Sequence, residues 1–139
     1  MEIRIPADDE FDFYACKKLY KKYQKEIGDN VPFNNIIKNT FFYSFYDDKV
    51  LVGCVYLYYQ KINNKARKSP YGLFLNGFAK RKYHRFNTKV LNKIFSWFNC
   101  NIYAKSVQKP AIYLLLKCGF KKISDDLYIY YNNLSKKGD

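Results

Sequence analysis

The feature that most constrains the fold is a predicted strand, basic loop and helix between residues 72 and 98. Residues 72–79 are mostly apolar and indicate a strand, and residues 80–85 contain four lysines and arginines. From Asn87 onward apolar side chains recur at i, i+3 and i+4, which predicts a helix capped by Asn87 or Thr88. Helix N-termini favour a bound phosphate, because their first N–H groups are unpaired. The stretch therefore predicts either a phosphate site or an ordinary solvated basic turn.

The rest of the chain reads as short alternating strands and helices. Asp8, Asp9 and Glu10 suit the start of the first helix, where negative charge is favourable. The predicted elements are strand 2–6, helix 11–23, helix or turn 31–37, strands 40–46, 49–59 and 72–79, the helix after Asn87, strand 101–105, helix 111–117, and a hairpin over 120–131. This order predicts one mixed α/β (α+β) domain over residues 1–139, with a frayed tail at 132–139.

The distribution of charge favours an anionic partner. The net charge is +13, and residues 49–124 contain no Asp or Glu but 16 of the 25 lysines and arginines. Such asymmetry is typical of proteins that bind nucleic acid or a phosphate-rich cofactor. A lysine-rich, low-GC coding background explains the lysines equally well, but it explains the missing acids less well.

Cysteine use and hydropathy narrow the class of protein. The four cysteines are widely spaced and the chain has one histidine, so we expect no metal site and reduced thiols in the core. No apolar run reaches the roughly 18 residues that a membrane span requires, and residues 1–10 lack a signal-peptide pattern. We therefore expect an intracellular, cytoplasmic protein without a membrane partner.

Two segments resemble the GNAT superfamily of acyl-CoA N-acyltransferases. Residues 82–91, KYHRFNTKVL, lie where that family has its pyrophosphate loop, Arg/Gln-x-x-Gly-x-Gly/Ala. Residues 102–120, IYAKSVQKPAIYLLLKCGF, resemble the later family motif of a strand, Asn-x-x-Ala and a helix that closes on Gly-Phe. The style of the sequence also suggests a phage or mobile-element origin.

The resemblance implies a fold, a cofactor and a set of contacts. The implied fold is a mixed, mostly antiparallel sheet of about six to seven strands flanked by about four helices. The implied cofactor is acetyl-CoA or another acyl-CoA, held in a V-shaped slot between strands, with an unknown amine as acceptor. The positions implied to contact it are Asn76, Phe78, Ala79, Lys82, Tyr83, His84, Arg85, Phe86, Asn87, Thr88 and Gln108.

Several motif positions depart from the family pattern. Arg85 stands where the first loop glycine belongs, and Asn87 stands where the second small residue belongs. The Arg85 side chain therefore either replaces the backbone contacts to the phosphates with a guanidinium contact or blocks the cofactor. Gln108 replaces the usual Asn. Leu115 occupies the position of the tyrosine that protonates the departing thiolate. Tyr113 is nearby, but two residues along a helix it points about 200° away.

A general base is also missing from the expected place. Many family members carry a Glu on or near the central strand, whereas this strand carries Asn76 and no carboxylate. His84 titrates near neutral pH, but it lies in the predicted phosphate loop and suits a phosphate contact better than a base. Tyr113, His84 and Gln108 are the weak catalytic candidates.

Three functions remain in competition at this point. The first is an acyl-CoA-dependent N-acyltransferase, which should be stabilised by CoA. The second is a GNAT-fold protein that modifies or binds nucleic acid, with salt-sensitive binding. The third is a catalytically inactive structural or virion-associated protein, which loss of the loop glycines and of the tyrosine acid would explain.

Overall fold

The computed structural model describes residues 1–62, 71–80 and 88–132. The elements in chain order are β1 (Glu2–Arg4), α1 (Phe13–Tyr23), α2 (Phe33–Asn39), β2 (Phe41–Asp47), β3 (Val50–Lys61), β4 (Tyr71–Ala79), α3 (Thr88–Phe95), β5 (Ile102–Lys105), α4 (Lys109–Cys118), β6 (Lys121–Lys122) and β7 (Leu127–Tyr130). The sequence therefore predicted every strand and helix of this part of the chain, with boundaries shifted by up to three residues.

The strands form one seven-stranded sheet in the order β1-β2-β3-β4-β5-β7-β6. β4 and β5 are parallel, with Leu73 opposite Ile102. The pairs β1–β2, β2–β3, β5–β7 and β6–β7 are antiparallel. The predicted fold class, a mixed and mostly antiparallel sheet with four helices, is confirmed.

The described residues cluster into two compact units. The first unit contains residues 1–58 and 76–80, and the second contains residues 59–62, 71–75 and 88–132. β3 and β4 each contribute residues to both units.

The first unit is built on an aromatic core. Tyr20 from α1, Phe33 from α2, Phe42 from β2 and Tyr56 from β3 are almost fully buried. Their rings meet edge-on, tilted or stacked at centroid distances of 5.5–6.0 Å, geometries that add to the stabilisation from burial alone. β2 and β3 form the predicted hairpin.

The turn between β2 and β3 contains two residues with left-handed backbone angles. Asp48 and Lys49 both have positive φ angles, 49° and 68°. Two consecutive left-handed residues match the twist of the flanking strands. The predicted turn at Asp47 and Asp48 is therefore confirmed one residue further along.

In the second unit β5 pairs with β7, and α3 packs against α4. Phe95, Phe120 and Tyr130 form a ring cluster with centroids 5.2–5.6 Å apart. α4 ends as predicted at Gly119, whose φ is 105° and whose N–H donates to the Leu116 carbonyl at 3.1 Å. Glycine fits this left-handed C-cap without a Cβ clash.

Three expectations about individual residues are wrong. The N-cap of α1 is Asp12, whose Oδ1 accepts from the Ala15 N–H at 3.0 Å. Asp8 instead accepts from the Ile5 N–H at 2.8 Å in the preceding turn, because a turn separates the acidic run from the helix. Cys100 is exposed, whereas Cys16, Cys54 and Cys118 are buried thiols as predicted.

The third correction concerns the tail. The sequence predicts that Asn132 is frayed, but it is buried, and its Nδ2 donates to the carbonyls of Phe95, Phe98 and Cys100 at 2.6–3.1 Å. A single side-chain amide thus binds the carbonyl groups at and beyond the end of α3. Residues 133–139 lie outside the described part of the chain.

No helix among the described residues is long and apolar enough to cross a membrane. Within the same residues no group of three or more His, Cys, Asp or Glu side chains could hold a metal ion.

Candidate functional site

The end of β4 lies in the first unit and has an irregular hydrogen-bonding pattern. The Asn76 side chain accepts a hydrogen bond from the Gly77 N–H at 2.8 Å. Gly77 has no room for a side chain, because a Cβ there would lie 2.7 Å from the Cys54 carbonyl oxygen on β3. The close approach of β3 explains why glycine stands at this position.

The residues after Gly77 differ in the burial of their side chains and in their backbone hydrogen bonds. The Phe78 side chain is buried, with its ring 5.6 Å from that of Tyr20 and 6.3 Å from that of Tyr56. Ala79 is half-buried. The Lys80 N–H donates to the Val52 carbonyl at 2.9 Å, so pairing with β3 continues past the end of β4. Phe78 can therefore contribute to a ligand site through its backbone, since its side chain belongs to the core.

The predicted pyrophosphate loop falls mostly outside the described residues. Those positions are Lys82, Tyr83, His84, Arg85, Phe86 and Asn87. The helix that the resemblance places after the loop is present, and it begins at Thr88. Its first turn contains no acidic residue, which suits a helix start that faces an anion.

β5 and α4 form the strand and helix of the later motif. Gln108 is the N-cap residue of α4, with extended backbone angles, and its side chain makes no capping hydrogen bond. Its N–H donates to the Ser106 Oγ at 3.2 Å, and its carbonyl accepts from the Ile112 N–H at 3.0 Å. The Gln108 backbone is therefore fixed by the turn while its amide group takes no part in capping.

The structure separates Tyr113 from Leu115, the residue at the motif position of the proton donor. Leu115 is 8% exposed and packs inside the second unit. Because its side chain is aliphatic, no hydroxyl is present at that motif position. Tyr113 is 62% exposed, and the Lys117 Nζ lies 5.6 Å from the centre of its ring. Tyr113 and Leu115 thus lie on different faces of α4, as the helical angle predicts.

The sequence did not indicate a half-buried carboxylate that contacts the core of the first unit. Asp29, in the turn between α1 and α2, accepts a hydrogen bond from the Tyr56 hydroxyl at 2.8 Å through Oδ2 and from the Val31 N–H at 2.9 Å through Oδ1. β4 itself carries no carboxylate, as the sequence shows, but Asp29 supplies one to the neighbouring strand β3 through Tyr56. A buried tyrosine hydroxyl needs a partner, but nothing near Tyr56 in the sequence identifies Asp29 as that partner.

Asp29 also influences its neighbouring tyrosines. Burial, assisted by this carboxylate, raises the pKa of Tyr20 to about 12. The same two causes raise the pKa of Tyr56 and of Tyr58. These phenols therefore remain protonated at neutral pH and act as hydrogen-bond donors there.

The two units differ in charge. The described residues of the first unit contain nine basic and nine acidic side chains, which cancel. Those of the second unit contain eight lysines against Asp125 and Asp126, a net charge of +6. The second unit thus carries the charge that favours an anionic ligand.

The fold is that of the GNAT N-acetyltransferases. An N-acetyltransferase from Staphylococcus aureus Mu50 has a TM-score of 0.66 at 14% identity, covering 94% of this chain and 98% of that one. Aminoglycoside N(6′)acetyltransferase from Legionella pneumophila has a TM-score of 0.64 at 12% identity, covering 99% and 98%. Aminoglycoside N-acetyltransferase AAC(6′)-Iy, solved in complex with CoA, has a TM-score of 0.61 at 13% identity, covering 94% and 98%.

These similarities are to structures. No family model matches the sequence, and no curated protein is significantly similar to it. At identities of 12–14% this likeness establishes the fold alone.

Proposed function

We propose that this chain is an acyl-CoA-dependent N-acyltransferase of one GNAT-like domain, with acetyl-CoA as donor and an amine as acceptor. The observation that carries the proposal is the GNAT fold over 94% of the chain, shared with an acetyltransferase solved with CoA. Bound acetyl-CoA would supply a thioester, and transfer to a neutral amine would form a C–N bond, break the C–S bond and leave the amine proton with the thiolate.

The described residues suit such a cofactor. In the first unit, backbone groups of Asn76, Phe78 and Ala79 would bind the pantetheine arm. In the second unit, the N-terminus of α3 at Thr88 has no acidic residue in its first turn, and it would bind the pyrophosphate. Gln108 would contribute an amide from the start of α4. Lys82, Tyr83, His84, Arg85, Phe86 and Asn87 remain predicted pyrophosphate contacts.

The test of cofactor binding is thermal unfolding with acetyl-CoA. A ligand at 100 times its Kd stabilises the folded state by about 2.7 kcal/mol, so the melting temperature should rise with acetyl-CoA concentration. 3′,5′-ADP should give a smaller rise, and adenosine, which lacks the phosphates, should give none. No rise with millimolar acetyl-CoA would overturn the proposal.

The acceptor is proposed to be a cationic amine that Asp29 attracts. The structural neighbours include aminoglycoside acetyltransferases and a ribosomal-protein-S5-alanine acetyltransferase. Asp29 is half-buried in the turn after α1, and its Tyr56 partner contacts Phe78 at the end of β4. A carboxylate in this position favours a positively charged acceptor over a neutral one.

Release of CoA thiol with a panel of amines tests this role. Asp29→Asn should raise KM for cationic acceptors at least fivefold while leaving KM for acetyl-CoA unchanged. Asp9→Asn, which removes an exposed acid from the same unit, is the matched control and should alter neither. Equal KM values for the parent and Asp29→Asn would exclude Asp29 from acceptor binding.

A further inference from the structure

The outer side of α4 carries apolar side chains that solvent reaches. Tyr113 and Leu116 are 62% and 52% exposed, and Val107, in the turn before the helix, is 75% exposed. The opposite side of α4 is used in packing, because Leu115 and Cys118 are buried and the helix contacts α3. The exposed apolar side chains are therefore not needed for packing within the second unit.

Two exposed lysines, Lys109 and Lys117, lie on the same side of α4. With Tyr113 and Leu116 they occupy the i, i+4, i+7 and i+8 positions of the helix, which form one strip about 12 Å long. We call these four residues the α4 outer face. The Lys117 Nζ lies 5.6 Å from the centre of the Tyr113 ring. This face thus has apolar side chains at its centre and a positive charge at each end.

The position of Lys109 is unfavourable for the helix itself. Lys109 is the first residue of α4, where the helix dipole favours an acidic side chain. The first turn contains no acidic residue, and the side chain of the preceding Gln108 makes no capping hydrogen bond. Such departures from local preference are expected where a segment serves binding. Lys109 therefore suits a bound partner better than it suits the helix.

Charge identifies the kind of partner. Residues 105–126 contain five lysines and two acidic residues, Asp125 and Asp126, which gives a net charge of +3. Two copies of this chain that met through the α4 outer face across a two-fold axis would bring like charges together, which is unfavourable. The charge therefore favours a different, anionic partner over a second copy of the chain.

The apolar centre of the face narrows that partner further. A polyanion without apolar groups would leave Tyr113 and Leu116 in contact with water. A lipid surface fits less well, because a ten-residue helix that is packed on its other side offers few apolar side chains for insertion. An amphipathic helix with acidic flanks supplies both apolar contacts and carboxylates, at the spacing of helical turns.

We propose that the α4 outer face binds an acidic amphipathic helix of a partner protein. The apolar side of that helix packs on Tyr113 and Leu116, and its carboxylates pair with Lys109 and Lys117. This binding is separate from acyl transfer and does not rest on the proposed function.

The probe is a fluorescein-labelled peptide of about 14 residues, which spans about 21 Å as a helix and is held helical by a side-chain staple. Leucines at i, i+3, i+4 and i+7 form its apolar side, and glutamates flank them. One comparison peptide has serines in place of the leucines, and another has glutamines in place of the glutamates. In fluorescence anisotropy we expect the probe to bind at least about fivefold more tightly than either comparison peptide.

Variants of the face test where the probe binds. Tyr113→Ala and Leu116→Ala should each weaken binding about fivefold, because apolar area is no longer buried. The double variant Lys109→Glu, Lys117→Glu should weaken it about tenfold or more, because glutamates then face glutamates. All four positions are exposed, so the melting temperature of each variant should stay close to that of the parent.

Matched controls come from α1 in the first unit. Lys21→Glu with Lys22→Glu changes the net charge by the same amount at two exposed lysines, and Tyr14→Ala removes an exposed tyrosine ring. Both should bind the probe as the parent does. In the ¹⁵N-labelled protein, the probe should shift the amide signals of residues 107–117 and leave those of α1 unchanged.

Each alternative outcome overturns the proposal. Equal affinity for the comparison peptides would remove the need for an acidic amphipathic partner. Equal weakening by the α1 lysine control would mean attraction by net charge alone, and amide shifts outside α4 would mean another site. Tighter binding to vesicles of phosphatidylcholine and phosphatidylserine than to the probe would assign the face to a lipid surface. The acetyl-CoA melting test is unaffected by any of these results, so the two proposals fail separately.

Discussion

The Tyr56 hydroxyl donates a 2.8 Å hydrogen bond to the Asp29 carboxylate, joining β3 to the turn between α1 and α2. Tyr20 reaches the same turn from α1, and its hydroxyl donates to the Val31 carbonyl at 2.6 Å. The hydroxyls of Tyr20 and Tyr56 thus add side-chain hydrogen bonds to the turn between α1 and α2. The turn's conformation therefore depends on the core of the first unit.

Replacing Tyr56 by Phe tests the energy of this link. Because the lost bond involves a charged acceptor, we expect the free energy of unfolding to fall by about 1.5–3 kcal/mol. Urea denaturation at pH 7 measures it. Tyr14→Phe, at an exposed tyrosine, is the control and should stay within about 0.5 kcal/mol of the parent. An equal stability for Tyr56→Phe would mean that water replaces the bond.

Stability should fall at alkaline pH because of the raised tyrosine pKa values. Tyr20 has a pKa of about 12 in the folded protein and about 10 when unfolded. Above pH 10 the unfolded state binds fewer protons than the folded state, so stability is lost as pH rises from about 10 to 12.

Comparing the parent with Tyr20→Phe isolates this contribution. The variant should be less stable at pH 8, where the hydrogen bond to Val31 is intact in the parent. The difference should shrink as pH rises toward 11, measured by urea denaturation at each pH. A constant difference would contradict the raised pKa.

Asn132→Ala should destabilise the second unit by about 2–3 kcal/mol. Three carbonyl oxygens, those of Phe95, Phe98 and Cys100, lose the donor that binds them. Asn132→Asp should not rescue stability, because a carboxylate has no N–H to donate. Chemical denaturation measures both, with exposed Asn99→Ala expected within about 0.5 kcal/mol of the parent.

Leu115→Tyr should raise the rate of acyl transfer if the proposed function is right. The substitution returns a hydroxyl to the motif position that the resemblance assigns to the proton donor. General acid catalysis contributes about 10²–10⁴-fold, and a partial gain of tenfold in kcat is expected because the buried site must accommodate a larger ring.

Leu115→Phe is the matched control for that gain. It adds the ring without the hydroxyl, so it should share any loss of stability and show no rise in kcat. A rise of the same size in both variants would attribute the effect to packing. Thiol release under saturating acetyl-CoA gives kcat directly.

Local patterns in the sequence were sufficient for the order of elements and hence for the fold class. Periodicity of apolar residues gave α1 and α3, and Gly119 marked the end of α4 correctly. The motif over residues 102–120 predicted a strand and helix that the structure contains.

Long-range contacts decided what the sequence alone could not predict. Tyr56 meets Asp29 across 27 residues, and Asn132 meets Phe95 across 37, so no local pattern could indicate either pair. Cys100 resembles the other cysteines in sequence but lies on a cavity wall. By itself the sequence determined which segments form strands and helices, because those depend on neighbouring residues. Only the tertiary structure decided which polar groups are partnered and which side chains surround a cavity, because those depend on packing between distant segments.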